Sequence, residues 1–185
     1  MVENIEKLVE DVKFGVLMLG APGAGKSTLT KVLSEHLDTL DRPHCLVNLD
    51  AANEDVGYKV GVDVRDLITL EDAMADLQLG PNGGTLYCAE FLLQNFNWLC
   101  DQILAYREKH KNCQYFIFDM PGQVELYTSG HEAVSKTIQK LEKELNFHFV
   151  ASHVIDLPQI YDRYKFLSTL TLSLTAIIGM EMPMV

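Results

Sequence analysis

The sequence predicts a three-layer α/β/α domain built on a mostly parallel sheet. Three observations carry that expectation. Short apolar runs alternate with segments of helical spacing along the chain, a pattern that covers a parallel sheet on both faces. A glycine-rich loop at residues 20–28 stands between one such run and a helix. Two other runs end at aspartates, Asp50 and Asp119, in the position where open α/β sheets bind their ligands.

The elements follow in order. Residues 14–19 are continuously apolar, as a strand buried on both faces requires. Over residues 27–40, Leu29, Val32, Leu33, Leu37 and Leu40 recur at helical spacing. Residues 45–49 form a second strand ending at Asp50, and 51–64 read as loop. Residues 67–77 predict a short acidic helix with Asp66 and Thr69 as candidate caps. Residues 80–84, Gly-Pro-Asn-Gly-Gly, are a strong break. A long amphipathic helix, open to interruption, spans 85–109. Residues 115–118 are a third strand, ending at Asp119. Residues 134–145 are helical with Lys136, Lys140 and Lys143 on a solvated side. A fourth strand covers 147–155, a helix 161–178, and residues 182–185 read as the start of a further strand. Residues 1–13 are charged and helix-like, with Ile5, Leu8, Val9 and Val12 on one side.

A chain of 185 residues suits one domain with a full hydrophobic core. With 48% hydrophobic and 22% charged residues it belongs with globular rather than disordered chains. A net charge of −11 argues against direct nucleic-acid binding, which needs a basic patch. Cys45, Cys88, Cys100 and Cys113 form no C-x-x-C pair and read as packed free thiols of a reducing compartment. The scattered histidines suggest no metal cluster. No secretory signal opens the chain, and the most apolar late stretch, 166–178, is too short to span a bilayer. It reads as a buried helix, and no membrane partner is expected.

The chemistry starts at Gly20-Ala21-Pro22-Gly23-Ala24-Gly25-Lys26-Ser27-Thr28, which fits G-x-x-x-x-G-K-[ST], the phosphate-binding loop of P-loop NTPases. Backbone N–H groups around Gly23, Ala24 and Gly25 turn inward around an anion, and the helix opening at Lys26, Ser27 and Thr28 points its positive end at the same phosphates. Lys26 reaches the β- and γ-phosphates, and the Ser27 hydroxyl suits Mg²⁺. Asp119-Met120-Pro121-Gly122-Gln123 resembles the D-x-x-G-Q switch of GTPases. Asp119 is placed to hold Mg²⁺ directly or through water, the Gly122 N–H to meet a γ-phosphate, and Gln123 to orient the attacking water, with Glu125 competing as base or water ligand. Asp50 is a candidate for the Mg²⁺ shell or for polarising the nucleophile. Asp63, Arg65 and Asp66 form a second polar cluster, in which Arg65 is either an arginine finger or a surface ion pair.

Taken together, the phosphate loop, Val47-Asn48-Leu49-Asp50-Ala51-Ala52-Asn53-Glu54, Val62-Asp63-Val64-Arg65-Asp66, Gly80-Pro81-Asn82 and the 119–127 segment resemble the GPN-loop GTPases. The likeness runs over residues 15–185 and is nearest the second or third eukaryotic paralogue. It implies a single P-loop GTPase domain over 1–185, with the family's insertion at about 66–110. It implies GTP/GDP and Mg²⁺ as ligands. It also implies a dimer, with a copy of itself or with a paralogous GPN-loop GTPase, in which Asn82 of one subunit assists the phosphates of the other as an arginine finger does elsewhere. The family's work implies a role in RNA polymerase II assembly or nuclear import, with RNA polymerase II or its assembly factors as partners and a cytoplasmic location with shuttling to the nucleus. Two departures stand out. Ala51 replaces a usual proline, and the guanine-reading S/T/N-K-x-D motif is absent, since no lysine here is followed two places on by aspartate. The domain is therefore expected to be incomplete at its C-terminus, as a truncated or a natural short form.

Two other readings compete. A nucleotide-poor interaction and dimerisation module would follow from the missing guanine motif. A nucleoside monophosphate kinase would share the Gly20–Lys26 string, but such enzymes follow it with glycine, and their clamp needs more arginines than Arg42, Arg65, Arg107 and Arg163 supply.

Overall fold

A computed structural model describes residues 11–53, 55–111, 113–127 and 132–180, with the backbone alone at Val124, Glu125 and Ile177. Of the helix expected over 1–13, residues 1–10 lie outside the described residues and Lys13 already belongs to a strand; the strand expected over 182–185 lies outside the described residues too. Five strands pair in parallel: β1 (Lys13–Leu19), β2 (His44–Asn48), β3 (Val62–Asp63), β4 (Tyr115–Asp119) and β5 (Phe147–His153). Their order across the sheet is β3-β2-β4-β1-β5. The two-residue β3 lies inside the segment expected to be loop. It is too short to show an alternation, and it forms because β2 offers it a free edge.

Successive side chains alternate across each strand, so the sheet has two apolar faces. Met18, Leu46 and Ile117 share one face and receive Leu29, Leu33 and Leu37 of α1 (Lys26–Thr39). Val32 and Leu40, expected on the same stripe, are exposed instead, because a single covering helix has only one face to bury. Leu17, Leu19, Cys45, Val47, Phe116 and Phe118 point the other way into the main core. That core is closed by α2 (Leu70–Leu77), α3 (Pro81–Gln94), α4 (Phe96–Lys109) and α5 (Ala133–Leu145). The sheet with helices on both sides is the expected three-layer P-loop architecture.

The helical insertion differs in detail from the expectation. Thr69 caps α2, its side chain accepting from the Asp72 N–H, while Asp66 closes a preceding 3-10 turn over Val64–Asp66. The supposed break at 80–84 is a helix start. Gly80 is the N-cap of α3 and Pro81 occupies its first turn, where a missing N–H costs nothing. The long helix over 85–109 is divided at Asn95 into α3 and α4. A short helix, α6 (Leu157–Tyr161), precedes the last expected helix, which is α7 (Arg163–Met180). The latter is not buried as expected. Ser173, Ala176 and Met180 face inward on one stripe, whereas Leu167, Leu172, Leu174 and Ile178 are exposed. Apolar composition all round did not reveal which stripe packs.

The main core holds an aromatic group built from two strands, β4 and β5. Phe147 and Phe149 stack at 5.0 Å, and Phe116 and Phe118 meet them edge-on at 5.1 and 5.3 Å. Gly15 makes room for it, since a Cβ there would stand 2.3 Å from the Phe149 ring. Cys45, Cys88 and Cys113 are buried and Cys100 half-buried, all as free thiols. Among the described residues no helix is long and apolar enough to cross a membrane. Gly15→Ala is expected to lower the unfolding free energy by about 1–3 kcal/mol through overpacking. Phe149→Leu in the same chain should recover part of that loss, so urea unfolding of the two single variants and the pair should show non-additivity.

Candidate functional site

The parallel register sets the site. Asp119, last in β4, stands level with Met18 of β1 on one side and Asn48 of β2 on the other. All three strands therefore deliver their C-terminal turns to one edge. The Leu49 N–H donates to the Asp119 carbonyl at 2.9 Å and stitches two of those turns together. Between them lies a cleft of about 380 Å³ lined by Lys26, Ser27, Asp50, Asn53, Thr85 and Gln123, among others.

The loop over residues 20–25 leads directly from β1 into α1. Gly23 and Gly25 have φ of 77° and 96°, in the left-handed region that glycine tolerates, and Gly25 is the N-cap of α1. This turns the loop back over the helix end, with Ala24 N–H donating to the Ala21 carbonyl at 3.1 Å. Lys26 follows, 7% exposed, its Nζ donating to the Ala21 carbonyl at 3.2 Å. Burial pushes the Lys26 pKa below the ordinary lysine value, and the Asp119 and Asp50 carboxylates oppose that shift. The ammonium is thus held near two negative groups inside a loop shaped for an anion. Thr28, by contrast, is exposed on α1.

The second wall is the turn after β4. Tyr127 is buried, and its hydroxyl donates to the Pro121 carbonyl at 2.6 Å, which fixes the turn from below. Gly122 is packed against the phosphate loop so closely that a Cβ would stand 2.8 Å from Pro22 N and 3.0 Å from Lys26 Nζ. Gln123 extends toward the insertion. Its Nε2 donates to Thr85 Oγ1 at 3.0 Å and lies 3.4 Å from Asn82 Oδ1. The Thr85 hydroxyl itself donates to the Pro81 carbonyl at 3.0 Å. Within one chain, therefore, the Gly80-Pro81-Asn82 segment already meets the residue expected to position water. The side chain of Glu125 lies outside the described residues.

The carboxylates occupy different environments. Asp119 is 1% exposed; its Oδ2 accepts from the Tyr58 hydroxyl at 2.9 Å, and its Oδ1 is buried with no hydrogen-bond partner among the described residues. Asp50 accepts from the Ala52 N–H at 3.0 Å. Burial raises the Asp50 pKa above the usual carboxylate value, and the Ala52 N–H and the Lys26 charge pull it back. Asn48, wholly buried at the end of β2, accepts from the Asp50 N–H at 3.1 Å and donates to Asp63 Oδ1 at 3.0 Å. Arg65 does not extend into the cleft. Its Nε lies 3.0 Å from both Asp63 oxygens and its Nη1 donates to the Asn53 carbonyl at 2.8 Å. Burial alone would raise the Asp63 pKa, but hydrogen bonds from Arg65 and Asn48 hold it below the usual range. Of the two expectations for Arg65, the ion pair is the one this geometry contains.

Sequence reasoning gave no role to several residues here. Asn53 donates through Nδ2 to Ser27 Oγ at 3.1 Å, and Tyr58 reaches Asp119. His153, at the end of β5, contacts Ser173 Oγ through Nδ1 at 3.0 Å; burial and the Lys26 charge lower its pKa from the ordinary imidazole value. None carried a local signal, because each depends on a partner at least twenty residues away. The oxygen donors of Ser27, Asp119 and Asp50 are of the type Mg²⁺ takes, and the unpartnered, buried Asp119 Oδ1 fits such a cation or its water.

Comparison with known proteins gives a consistent family. A family described as "Conserved hypothetical ATP binding protein" matches residues 18–185. GPN-loop GTPase 3 of Yarrowia lipolytica is 42% identical over 172 residues, covering 92% of this chain and 61% of that protein. GPN-loop GTPase 2 of Danio rerio is 42% identical over 172 residues, covering 93% of this chain and 53% of that one. The chain thus spans between half and two thirds of the length of these relatives. A crystal structure of a GTPase in apo form from Pyrococcus abyssi superposes with a TM-score of 0.72 at 23% identity, over 93% of this chain and 65% of that one, which supports the fold. The close approach at Gly122 has a direct consequence. Gly122→Ala is expected to weaken GDP binding at least about 10-fold in calorimetry, since a methyl displaces Pro22 or Lys26. Its thermal midpoint should change by only a few degrees, because the position lies outside the core.

Proposed function

The chain belongs to the GPN-loop GTPase family, and from that membership we propose that it binds GTP and GDP with Mg²⁺ and hydrolyses GTP as a dimeric switch. The observation that carries the proposal is the close packing of Gly122 on Pro22 and Lys26, which makes the switch turn and the phosphate loop two walls of one site. Fold likeness alone would not suffice, because this fold hosts many chemistries.

In this reading each residue has a task that its position supports. Backbone N–H groups at Gly23, Ala24 and Gly25, with Lys26, hold the β- and γ-phosphates. Ser27, Asp119 and Asp50 hold Mg²⁺, which would neutralise charge on the phosphate oxygens. The Gly122 N–H meets the γ-phosphate. Gln123 orients water, and its amide is kept in place by Thr85 and Asn82. Asn82, at the start of α3, offers a neutral amide to the charge that spreads over the transferred group in the partner's site. The preference for guanine rests on the family, whose named relatives are GTPases.

The wider role is inferred from the family resemblance. The chain pairs with a copy of itself or with a paralogous GPN-loop GTPase, and Asn82 then serves the partner's site. It takes part in RNA polymerase II assembly or nuclear import, working in the cytoplasm and shuttling to the nucleus.

Steady-state GTP hydrolysis should fall by about 10²-fold in Gln123→Ala and Asn82→Ala, with GDP affinity little changed. Lys26→Ala should lose nucleotide affinity as well. Equal inertness of wild type and all three variants, with no GTP or GDP binding by calorimetry, would favour the interaction module instead. Sedimentation with and without GTP and Mg²⁺ tests the pairing: a dimer favoured by GTP is expected, and a monomer under every condition, alone or with a paralogue, would sink it.

A further inference from the structure

Residues 51–61 join β2 to β3 and pass along the cleft, which Ala52 and Asn53 help to line. Their irregular sequence reads as loop, and beyond the family resemblance of residues 51–54 it gives Tyr58 no role. Yet two side chains from this strap reach the groups assigned to the cation. Asn53 Nδ2 donates to Ser27 Oγ at 3.1 Å, and the Tyr58 hydroxyl donates to Asp119 Oδ2 at 2.9 Å.

We propose that Tyr58 is a positioning residue of the metal site, fixing the Asp119 carboxylate by one oxygen so that the other, Oδ1, is kept for the cation or its bound water. The proposal rests on the Mg²⁺–nucleotide reading of the cleft. Three features of the geometry support it. The two Asp119 oxygens are unequal, for Oδ2 is engaged by the phenol while Oδ1 is buried without a partner among the described residues. The phenol is itself anchored, since the Tyr58 ring packs on Met18, Leu46 and Ile117 beneath α1. The strap is tied at both ends of this stretch, by Arg65 Nη1 on the Asn53 carbonyl at 2.8 Å and by the Gly61 N–H on the Leu46 carbonyl at 2.8 Å.

The residue type is suited to the task. A phenol donates one hydrogen bond without adding charge, whereas a lysine in its place would compete with the cation for the carboxylate. An ordinary phenol keeps its proton at neutral pH, so the hydroxyl remains a donor. Groups that orient metal ligands in this way commonly change metal affinity 10–100-fold when removed.

The test is Tyr58→Phe, which keeps the ring packing and deletes only the donor. GDP affinity is measured by calorimetry on the whole chain, first in EDTA and then across a Mg²⁺ titration. Affinity in EDTA should match the wild type within about twofold. The Mg²⁺ concentration giving half of the metal-dependent gain should rise about 10–100-fold. An unchanged Mg²⁺ midpoint, with a wild type that responds to Mg²⁺, would overturn the role of Tyr58 and leave the nucleotide reading intact. A lowered midpoint would also overturn it, by showing that the phenol competes with the metal. A wild type that binds no GDP, or binds it without regard to Mg²⁺, sinks the site reading and this inference together.

Discussion

The site depends on the parallel placement of β4 between β1 and β2. That register puts the ends of three strands level, with Asp119 between Met18 and Asn48. Everything polar in the cleft hangs from those ends: the phosphate loop from β1, the Asp50 turn from β2 and the Gly122 turn from β4. A one-residue slip of β4 would exchange its two buried faces, driving Phe116 and Phe118 out of the aromatic group and Asp119 away from the cleft. Core packing and site geometry are therefore set by the same register.

Around that frame, the electrostatic arrangement is uneven in a useful way. One ammonium, Lys26, lies between two carboxylates inside a largely buried space. Burial disfavours both kinds of charge when alone, so each depends on the other, and an incoming phosphate with a divalent cation would supply the complementary pair. The polar chain from Asp50 through Asn48, Asp63 and Arg65 to Asn53 runs beside this arrangement. It ties the strap over residues 51–61 to the sheet edge, and through Asn53 to Ser27. The strap, the insertion helices and the switch turn all meet at the one cleft.

The strands and the phosphate loop were legible because their signals are local. An uninterrupted apolar run reads as a buried strand, and glycines at 23 and 25 followed by lysine and a hydroxyl have a single economical explanation. Asp119, Gly122 and Gln123 were legible through a contiguous motif. The Gly80-Pro81-Asn82 segment was harder. Its glycines and proline look like a turn, and only packing of α3 against the core turns them into a helix start. The two-residue β3, the break at Asn95 and the exposed side of α7 were likewise settled by neighbours rather than by pattern.

The sequence alone determined the fold class, the family and the phosphate-binding end of the site, since each rests on residues adjacent in the chain. Tertiary structure decided the strand order, the commitment of Arg65 to Asp63, the contact of Gln123 with Thr85 and Asn82, and the engagement of Asp119 by Tyr58. The reason is distance along the chain. Tyr58 and Asp119 are 61 residues apart, and Asn82 and Gln123 are 41. No periodicity or spacing encodes such pairs until the sheet has brought the ends of its strands together.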